Sequence, residues 1–116
     1  MIKKISNKKA SLKSKKEASL LFKKGRLIKN YPYLIYYLSA PSEENTKLLI
    51  SIPKKNFKKA VDRNKIKRQI REIYFNILRF SNVENHYYIA IVYIGETKYD
   101  FTTLKNRLKL ALDKIN

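Results

Sequence analysis

The residues best suited to chemistry in this sequence are cations gathered between positions 53 and 72. This segment reads PKKNFKKAVDRNKIKRQIRE, and only Asp62 and Glu72 oppose its positive charges. Like charges three or four residues apart on a helix repel each other, so such a sequence either holds its cations in water or binds a polyanion. The cations are Lys54, Lys55, Lys58, Lys59, Arg63, Lys65, Lys67, Arg68 and Arg71.

The types of side chain in this segment favour phosphate as the ligand. The planar guanidinium groups of Arg63, Arg68 and Arg71 can each bind two phosphate oxygens at once. Asn64 lies among them and can both donate and accept hydrogen bonds. Charge alone is compatible with a solvated face, but these added features favour nucleic-acid binding.

The chain is also rich in aromatic rings, with nine tyrosines and five phenylalanines. Unpaired bases stack on such rings, so exposed rings favour single-stranded RNA or DNA as a ligand. Most of the rings are expected in the core. We single out Phe22, on a short helix, and Tyr36, in the middle of a strand, as candidates for base stacking.

The sequence offers no self-sufficient catalytic site. Protein nucleases usually need clustered carboxylates that hold metal ions, or a histidine paired with another acid–base group. The nine acidic residues are scattered, with one adjacent pair at Glu43 and Glu44, and the single histidine, His86, has no motif around it. The lack of cysteine excludes thiolate nucleophiles and zinc–thiolate sites, and Gly25 and Gly95 are too far apart for a glycine-rich phosphate loop. No catalytic and no metal-binding residue is predicted.

Length and composition predict one compact domain. A chain of 116 residues with 44% hydrophobic residues is sufficient for one modest core, and its net charge of +18 attracts nucleic acid or an anionic membrane surface. The longest apolar run, Tyr87–Ile94, is too short to span a bilayer, and the basic N-terminus lacks the apolar core of a signal peptide. We expect a cytoplasmic protein with a flexible basic tail over residues 1–13 and a single α/β domain over residues 14–116 that binds an anionic partner.

The hydrophobic pattern predicts the element order α-β-β-α-β-α. The first helix has a capping box at residues 14–17 and stops at Gly25, and the last helix starts near Asp100. The predicted strands are Tyr33–Leu38, Lys47–Ile52 and Tyr87–Ile94, and the long helix runs from about Phe57 to Arg79. The short connection between the first two strands predicts that they pair with each other antiparallel.

The long helix is predicted to separate an apolar stripe from a charged arc. Positions i, i+4, i+7 and i+11 of the stripe are Ile66, Ile70, Ile73 and Ile77. In a helical projection the neighbouring arc holds Asn64, Lys67, Arg68 and Arg71, with Arg63 at its edge. The charges are therefore gathered on one side, as expected of a surface that binds a polyanion.

The run from Lys54 to Glu72 closely resembles the signature of the protein subunit of bacterial ribonuclease P. That family's pattern is a Lys-Lys pair, a short spacer, Ala, then Arg-Asn-Arg-Ile/Val-Lys-Arg and Ile-Arg-Glu. The resemblance extends over nearly the whole chain. Leu21–Gly25 resembles the end of the family's first helix, Tyr33–Leu38 its aromatic strand, and Leu49–Pro53 the strand that enters the signature.

The resemblance implies a small two-layer α/β sandwich with a mixed sheet, in which the long helix joins two parallel strands by a rare left-handed crossover. It also implies a function: the partner RNA subunit, with bound Mg²⁺, hydrolyses the bond that joins the 5′ leader to precursor tRNA, while the protein binds this RNA and the leader. The protein itself binds no cofactor in this interpretation and needs no membrane and no obligate protein partner. Carried over by position, the RNA-binding residues are Lys54, Lys55, Lys58, Lys59, Arg63, Asn64, Lys65, Lys67, Arg68 and Arg71, and the leader-binding residues are Phe22 and Tyr36.

The sequence departs from the family pattern at three positions. Lys65 replaces the usual second arginine and loses its bidentate fork, Ala18 stands where many members carry another aromatic ring, and Pro53 replaces a small polar residue. The competing interpretation is a non-catalytic RNA-binding protein such as a ribosomal protein. A membrane-surface helix is the least favoured alternative, because it needs a broader apolar face than a stripe of isoleucines provides.

Overall fold

The fold is a four-stranded mixed sheet with three α-helices. The computed structural model describes residues 12, 15–40, 46–77 and 86–115. The strands are β1 (Arg26–Asn30), β2 (Tyr33–Ser39), β3 (Lys47–Ser51) and β4 (Tyr87–Tyr93), and the helices are α1 (Lys15–Lys24), α2 (Ala60–Glu72) and α3 (Phe101–Leu112). In these ranges no helix is long and apolar enough to cross a membrane. The expected mixed α+β class is confirmed, with one strand more than the sequence predicts.

The additional strand is β1, which pairs antiparallel with β2 at one edge of the sheet. Of its five residues only Ile28 is buried, while Arg26, Leu27 and Lys29 are exposed. An edge strand with one buried position shows no alternation of apolar and polar residues, so the hydrophobic pattern did not predict it.

Strand β4 lies in the interior of the sheet, whose order is β1-β2-β4-β3. It pairs antiparallel with β2 and parallel with β3. The predicted direct pairing of β2 with β3 is therefore wrong, because β4 lies between them. The strand that is apolar on both faces takes the interior position, as its sequence predicts.

The parallel pairing of β3 and β4 requires a crossover connection, and α2 lies on it. The predicted βαβ unit is confirmed in this respect, and its left-handed sense stays a prediction from the family resemblance. Helix α3 follows β4 after Asp100, which occupies the predicted N-cap position with extended backbone angles.

Apolar side chains are buried on both faces of the sheet. On one face α2 and α3 cover the larger core cluster, to which β4 contributes Tyr87, Ile89, Ile91 and Tyr93. On the other face α1 covers a smaller cluster, which consists of Leu12, Leu21, Tyr88 and Ala90. Helix α1 therefore adds a further layer, over the smaller cluster, to the expected two-layer sandwich.

Leu12 packs against the outer strand β3. Its side chain is 4% exposed, and its backbone N–H donates to the carbonyl of Leu48 at 2.9 Å. Leu12 is thus part of the folded domain, although it falls within the tail predicted over residues 1–13. The remaining residues of that predicted tail lie outside the described part of the chain.

The predicted isoleucine stripe of the long helix is correct for three of its four members. Ile66, Ile70 and Ile73 are at most 2% exposed, whereas Ile77 is 42% exposed. The backbone changes to a π-helical turn over Ile73–Ile77. Its i→i+5 hydrogen bonds shift the following positions out of the 3.6-residue period, which moves Ile77 off the buried side.

Helix α2 also begins later than predicted. Phe57 precedes the helix and Ala60 is its first residue. Phe57 is buried in the core at 8% exposure, with its ring centroid 6.0 Å from that of Tyr93. The sequence analysis started the helix at Phe57 because this residue is apolar. In the structure Phe57 is apolar because it anchors the loop before the helix in the core. The predicted end at position 79 lies outside the described residues.

Candidate nucleic-acid interface

The outer surface of α2 carries an open groove of about 420 Å³, which we call the α2 groove. It is lined by Asn64, Lys67, Arg68 and Arg71. These residues lie at i, i+3, i+4 and i+7, a spacing that places them on one side of a helix. They are the four members of the charged arc that the helical projection predicts, so that arc is present in the structure.

The cations of the α2 groove are available for a ligand. Arg68 is exposed, and Lys67 and Arg71 are half-buried. Among the described residues, none of the three side chains has an intramolecular hydrogen bond or ion pair. Three unneutralised cations along two turns of helix produce a positive field that attracts a polyanion, and Asn64 adds an uncharged donor and acceptor beside them.

The two acidic residues of the basic segment are engaged elsewhere. Asp62 accepts a hydrogen bond from Lys98 Nζ at 2.6 Å, and Glu72 accepts one from Asn76 Nδ2 at 2.7 Å. The bond from Lys98 holds the pKa of Asp62 below its ordinary value, and the nearby Lys59 and Lys65 lower this pKa further. Among the described residues, neither carboxylate forms an ion pair with a cation of the α2 groove.

A second group of cations lies on the loop between β3 and α2, residues 53–59, which we call the lysine loop. Its four exposed lysines are Lys54, Lys55, Lys58 and Lys59. The buried ring of Phe57 anchors this loop in the core, and Asn56 Nδ2 donates to the carbonyl of Ile94 at 3.4 Å. The loop thus presents its lysines to solvent from a backbone tied to the domain.

Arg63 differs from the other predicted RNA-binding residues because it binds backbone within the protein. Its Nη1 donates to the carbonyl of Phe57 at 2.7 Å and to the carbonyl of Lys58 at 2.9 Å. The sequence projection placed Arg63 at the edge of the charged arc, and the structure directs it towards the lysine loop. Lys65 is exposed and lies outside the α2 groove, near Asp62.

The two candidate stacking residues form an aromatic pair. Phe22 on α1 and Tyr36 on β2 have ring centroids 4.8 Å apart, with their planes at 70°. Phe22 is 42% exposed, and Tyr36 is half-buried and packs against the smaller core cluster. The two residues that the family resemblance assigns to the leader therefore lie side by side on the α1 side of the sheet.

The sequence analysis missed the ion pair of Asp62 with Lys98. The partners are 36 residues apart, on α2 and on the loop after β4. No spacing or motif predicts such a contact, because the fold alone brings the two segments together.

Carboxylates are not clustered in the part of the chain that the structure describes. No group of three or more His, Asp or Glu side chains there is arranged to hold a metal ion. His86 is half-buried at the start of β4, and the Glu43–Glu44 pair lies outside the described residues. The chemistry that the described site can perform is the binding of anions and flat rings.

Comparison with known proteins gives a consistent result. The family whose sequence pattern matches is Ribonuclease P, over residues 6–116. The ribonuclease P protein component of Rickettsia bellii is 36% identical over 108 residues, which is 88% of this chain and 90% of that protein. The corresponding protein of Bacillus pumilus is 39% identical over 67 residues, or 58% of this chain, and this alignment covers 56% of the relative's own length.

A solved structure shows the same fold. The RNase P protein of Staphylococcus aureus superimposes with a TM-score of 0.77 at 26% identity, covering 90% of this chain and 93% of that one. The similarity therefore extends over most of the described fold.

Proposed function

The chain belongs to the family of bacterial ribonuclease P protein components, and on that premise we propose that it binds the RNA subunit of ribonuclease P through the α2 groove and the lysine loop. The observation that carries this proposal is the alignment of Lys67, Arg68 and Arg71 in one open groove. These cations are suited to binding the phosphates of a folded RNA, because each contact releases counterions from the RNA and this release favours binding. The four lysines of the loop would extend the same contact beyond the N-terminus of α2.

The second part of the proposal concerns the substrate. The Phe22–Tyr36 pair offers an exposed aromatic edge and a half-buried ring on the α1 side of the sheet. Unpaired bases stack on such rings, whereas paired bases in an RNA helix are already stacked on each other. The single-stranded 5′ leader of precursor tRNA is therefore the ligand that we assign to this pair.

In this proposal the protein contributes binding and the RNA subunit contributes catalysis. Three cations and one amide line the α2 groove; the cations bind phosphate oxygens and repel Mg²⁺, and the single amide oxygen of Asn64 is too few ligands to hold that ion. The Mg²⁺ ions that assist endonucleolytic removal of the leader would be held by the RNA and the substrate. Membership of this family also favours the ribonuclease P function over that of a ribosomal protein.

Reconstitution tests the proposal. Precursor tRNA is incubated at low Mg²⁺ concentration with the protein, with ribonuclease P RNA, or with both. We expect slow cleavage by the RNA alone, faster cleavage at the tRNA 5′ end when the protein is added, and none by the protein alone. Robust cleavage by RNA-free protein would contradict the assignment of catalysis to the RNA, and a protein that neither binds nor stimulates the RNA would contradict the whole proposal.

A charge-reversal variant provides the control within the same assay. Arg68→Glu combined with Arg71→Glu places two carboxylates in the α2 groove and should abolish stimulation through repulsion of phosphate. Lys105→Glu combined with Lys109→Glu changes the same number of charges on α3 and should retain most of it.

A further inference from the structure

Three arginines of the basic segment have different surroundings in the folded protein. Arg68 and Arg71 line the α2 groove, where their side chains have no hydrogen bond or ion pair to the described residues. Arg63 is half-buried, and its Nη1 donates to the carbonyls of Phe57 and Lys58 at 2.7 and 2.9 Å. A guanidinium that already binds two carbonyl oxygens is suited to holding the backbone in place.

The two carbonyls belong to the part of the lysine loop that immediately precedes α2. Lys59 occupies the N-cap position with extended backbone angles, and its side chain makes no capping hydrogen bond. The Arg63 side chain, four residues after the N-cap, joins the first turn of α2 to the preceding loop by donating to the loop carbonyls. Charged donors form stronger hydrogen bonds than neutral ones, so this link is well suited to fixing the loop.

The link determines where two exposed lysines lie. Phe57 is fixed by burial in the core, and Lys59 is fixed by its carbonyl, which accepts from the N–H groups of Asp62 and Arg63 at the start of the helix. Arg63 fixes the peptide groups between these two anchors. With the backbone held, Lys58 and Lys59 are presented at a constant position relative to the α2 groove, and less entropy is lost when phosphates bind.

We propose that Arg63 is a positioning residue for RNA binding: it holds the lysine loop against α2 so that the loop lysines and the α2 groove contact one RNA surface together. This inference rests on the proposed function and assigns Arg63 a role different from that of Arg68 and Arg71. Its Nη1 group donates to backbone inside the protein, and the affinity it provides acts through Lys58 and Lys59.

Conservative substitutions distinguish positioning from phosphate contact. Arg63→Lys keeps the charge but shortens the side chain and removes the guanidinium that reaches both carbonyls. We expect Arg63→Lys to weaken binding of ribonuclease P RNA nearly as much as Arg63→Ala, by roughly tenfold. On the same helix, Arg68→Lys should restore much of the affinity lost in Arg68→Ala, because an ammonium group still neutralises a phosphate.

A double-mutant cycle provides a readout that a role in overall stability would not change. Lys58→Ala is measured in the wild-type, Arg63→Lys and Arg68→Ala proteins, at a temperature at which circular dichroism shows every variant folded. Positioning predicts that Lys58→Ala loses less affinity in the Arg63→Lys background than in the wild type. The effects of Lys58→Ala and Arg68→Ala should be additive. Additivity in the Arg63→Lys background would overturn the inference.

NMR relaxation tests the same inference on the free protein. The backbone order parameters at Phe57, Lys58 and Lys59 should fall in Arg63→Lys and remain unchanged in Arg68→Lys. Unchanged order parameters in both variants would overturn the positioning role without reference to RNA.

The outcomes also separate this inference from the proposed function. If wild-type protein binds ribonuclease P RNA and Arg63→Lys retains full affinity, Arg63 is an ordinary phosphate ligand and only the positioning role fails. Arg63→Ala would then remove one phosphate contact, which lowers the slope of log affinity against log salt concentration by about 0.7–0.9. If the wild-type protein does not bind this RNA, the proposed function fails, and with it the role of Arg63 in RNA binding.

Discussion

The rings of Phe22 and Tyr36 meet edge to face, with centroids 4.8 Å apart, although one residue belongs to α1 and the other to β2. Such pairs contribute about 0.5–1.5 kcal/mol beyond the burial of their surface. Because Phe22 stays 42% exposed, the pair presents a rigid aromatic surface to solvent. The first prediction concerns the ligand of this surface.

Tyr36→Ala should weaken the binding of precursor tRNA that carries a leader and leave the binding of mature tRNA unchanged. The expected loss is about 1–3 kcal/mol for each base that stacks on the ring. Affinities of the reconstituted complex for substrates of increasing leader length provide the measurement. Tyr31→Ala is the matched control, because Tyr31 is 49% exposed and pairs edge to face with Tyr99 outside this surface.

A thermal melt of Tyr36→Ala tests the opposing interpretation, in which the ring acts only in the core. Tyr36 packs against the smaller cluster that contains Leu21 and Ala90, so a modest drop in Tm is expected. A drop corresponding to about 3–5 kcal/mol, the range for buried aromatic residues, would remove Tyr36 from the leader site if it came without a leader-dependent defect in the folded protein.

The second prediction tests how the π-helical turn changes the buried side of the long helix. Ile70 has no exposed surface, whereas Ile77 is 42% exposed. Ile70→Ala should lower the free energy of unfolding by about 2–5 kcal/mol. Ile77→Ala should lower it by roughly 1 kcal/mol or less. Urea denaturation measures both, and equal losses would mean that the helical period continues unbroken to Ile77.

Much of this fold was predictable from the hydrophobic pattern. The pattern YYIAIVYI at residues 87–94 predicted an interior strand, and β4 takes that position because both of its faces are covered. The spacing of Ile66 and Ile70 predicted the buried side of α2, and that side in turn fixed which charges share the α2 groove. Phe22 and Tyr36 were stacking candidates from their places on a predicted helix and a predicted strand, and the family resemblance then assigned them to the leader.

Other features depend on contacts that a local pattern does not encode. The position of β4 between β2 and β3 depends on pairing between segments far apart in the sequence. The short connection between β2 and β3 led to the wrong prediction that these two strands pair with each other. Strand β1 buries too few residues to show a period. Arg63 donates to backbone carbonyls because the lysine loop passes beside it. The helical projection does not include this loop, so it placed Arg63 at the solvent-facing edge of the charged arc.

The third prediction concerns the pKa of Asp62. The hydrogen bond from Lys98 lowers it below its ordinary value. A lowered folded-state pKa means that the pair stabilises the fold above the unfolded-state pKa, about 3.9 for aspartate. This contribution is lost as the pH falls through the folded-state pKa. An NMR titration of the Asp62 carboxyl should show a higher pKa in Lys98→Ala than in the wild type or in the control Lys109→Ala, and an unchanged value would show that the 2.6 Å pair does not persist in solution.

The last prediction concerns the α2 groove itself, and the salt dependence of binding tests it most directly. If roughly six to ten phosphates contact the α2 groove and the lysine loop, the affinity for ribonuclease P RNA should fall by about 10³–10⁵ between about 50 and 200 mM salt. Arg68→Ala should reduce the logarithmic slope by about 0.7–0.9, one phosphate contact, and Lys109→Ala, on the exposed side of α3, should leave it unchanged. A nearly flat salt dependence in the wild type, or equal slopes for the wild type and Arg68→Ala, would contradict the assignment of the α2 groove as the RNA-binding surface.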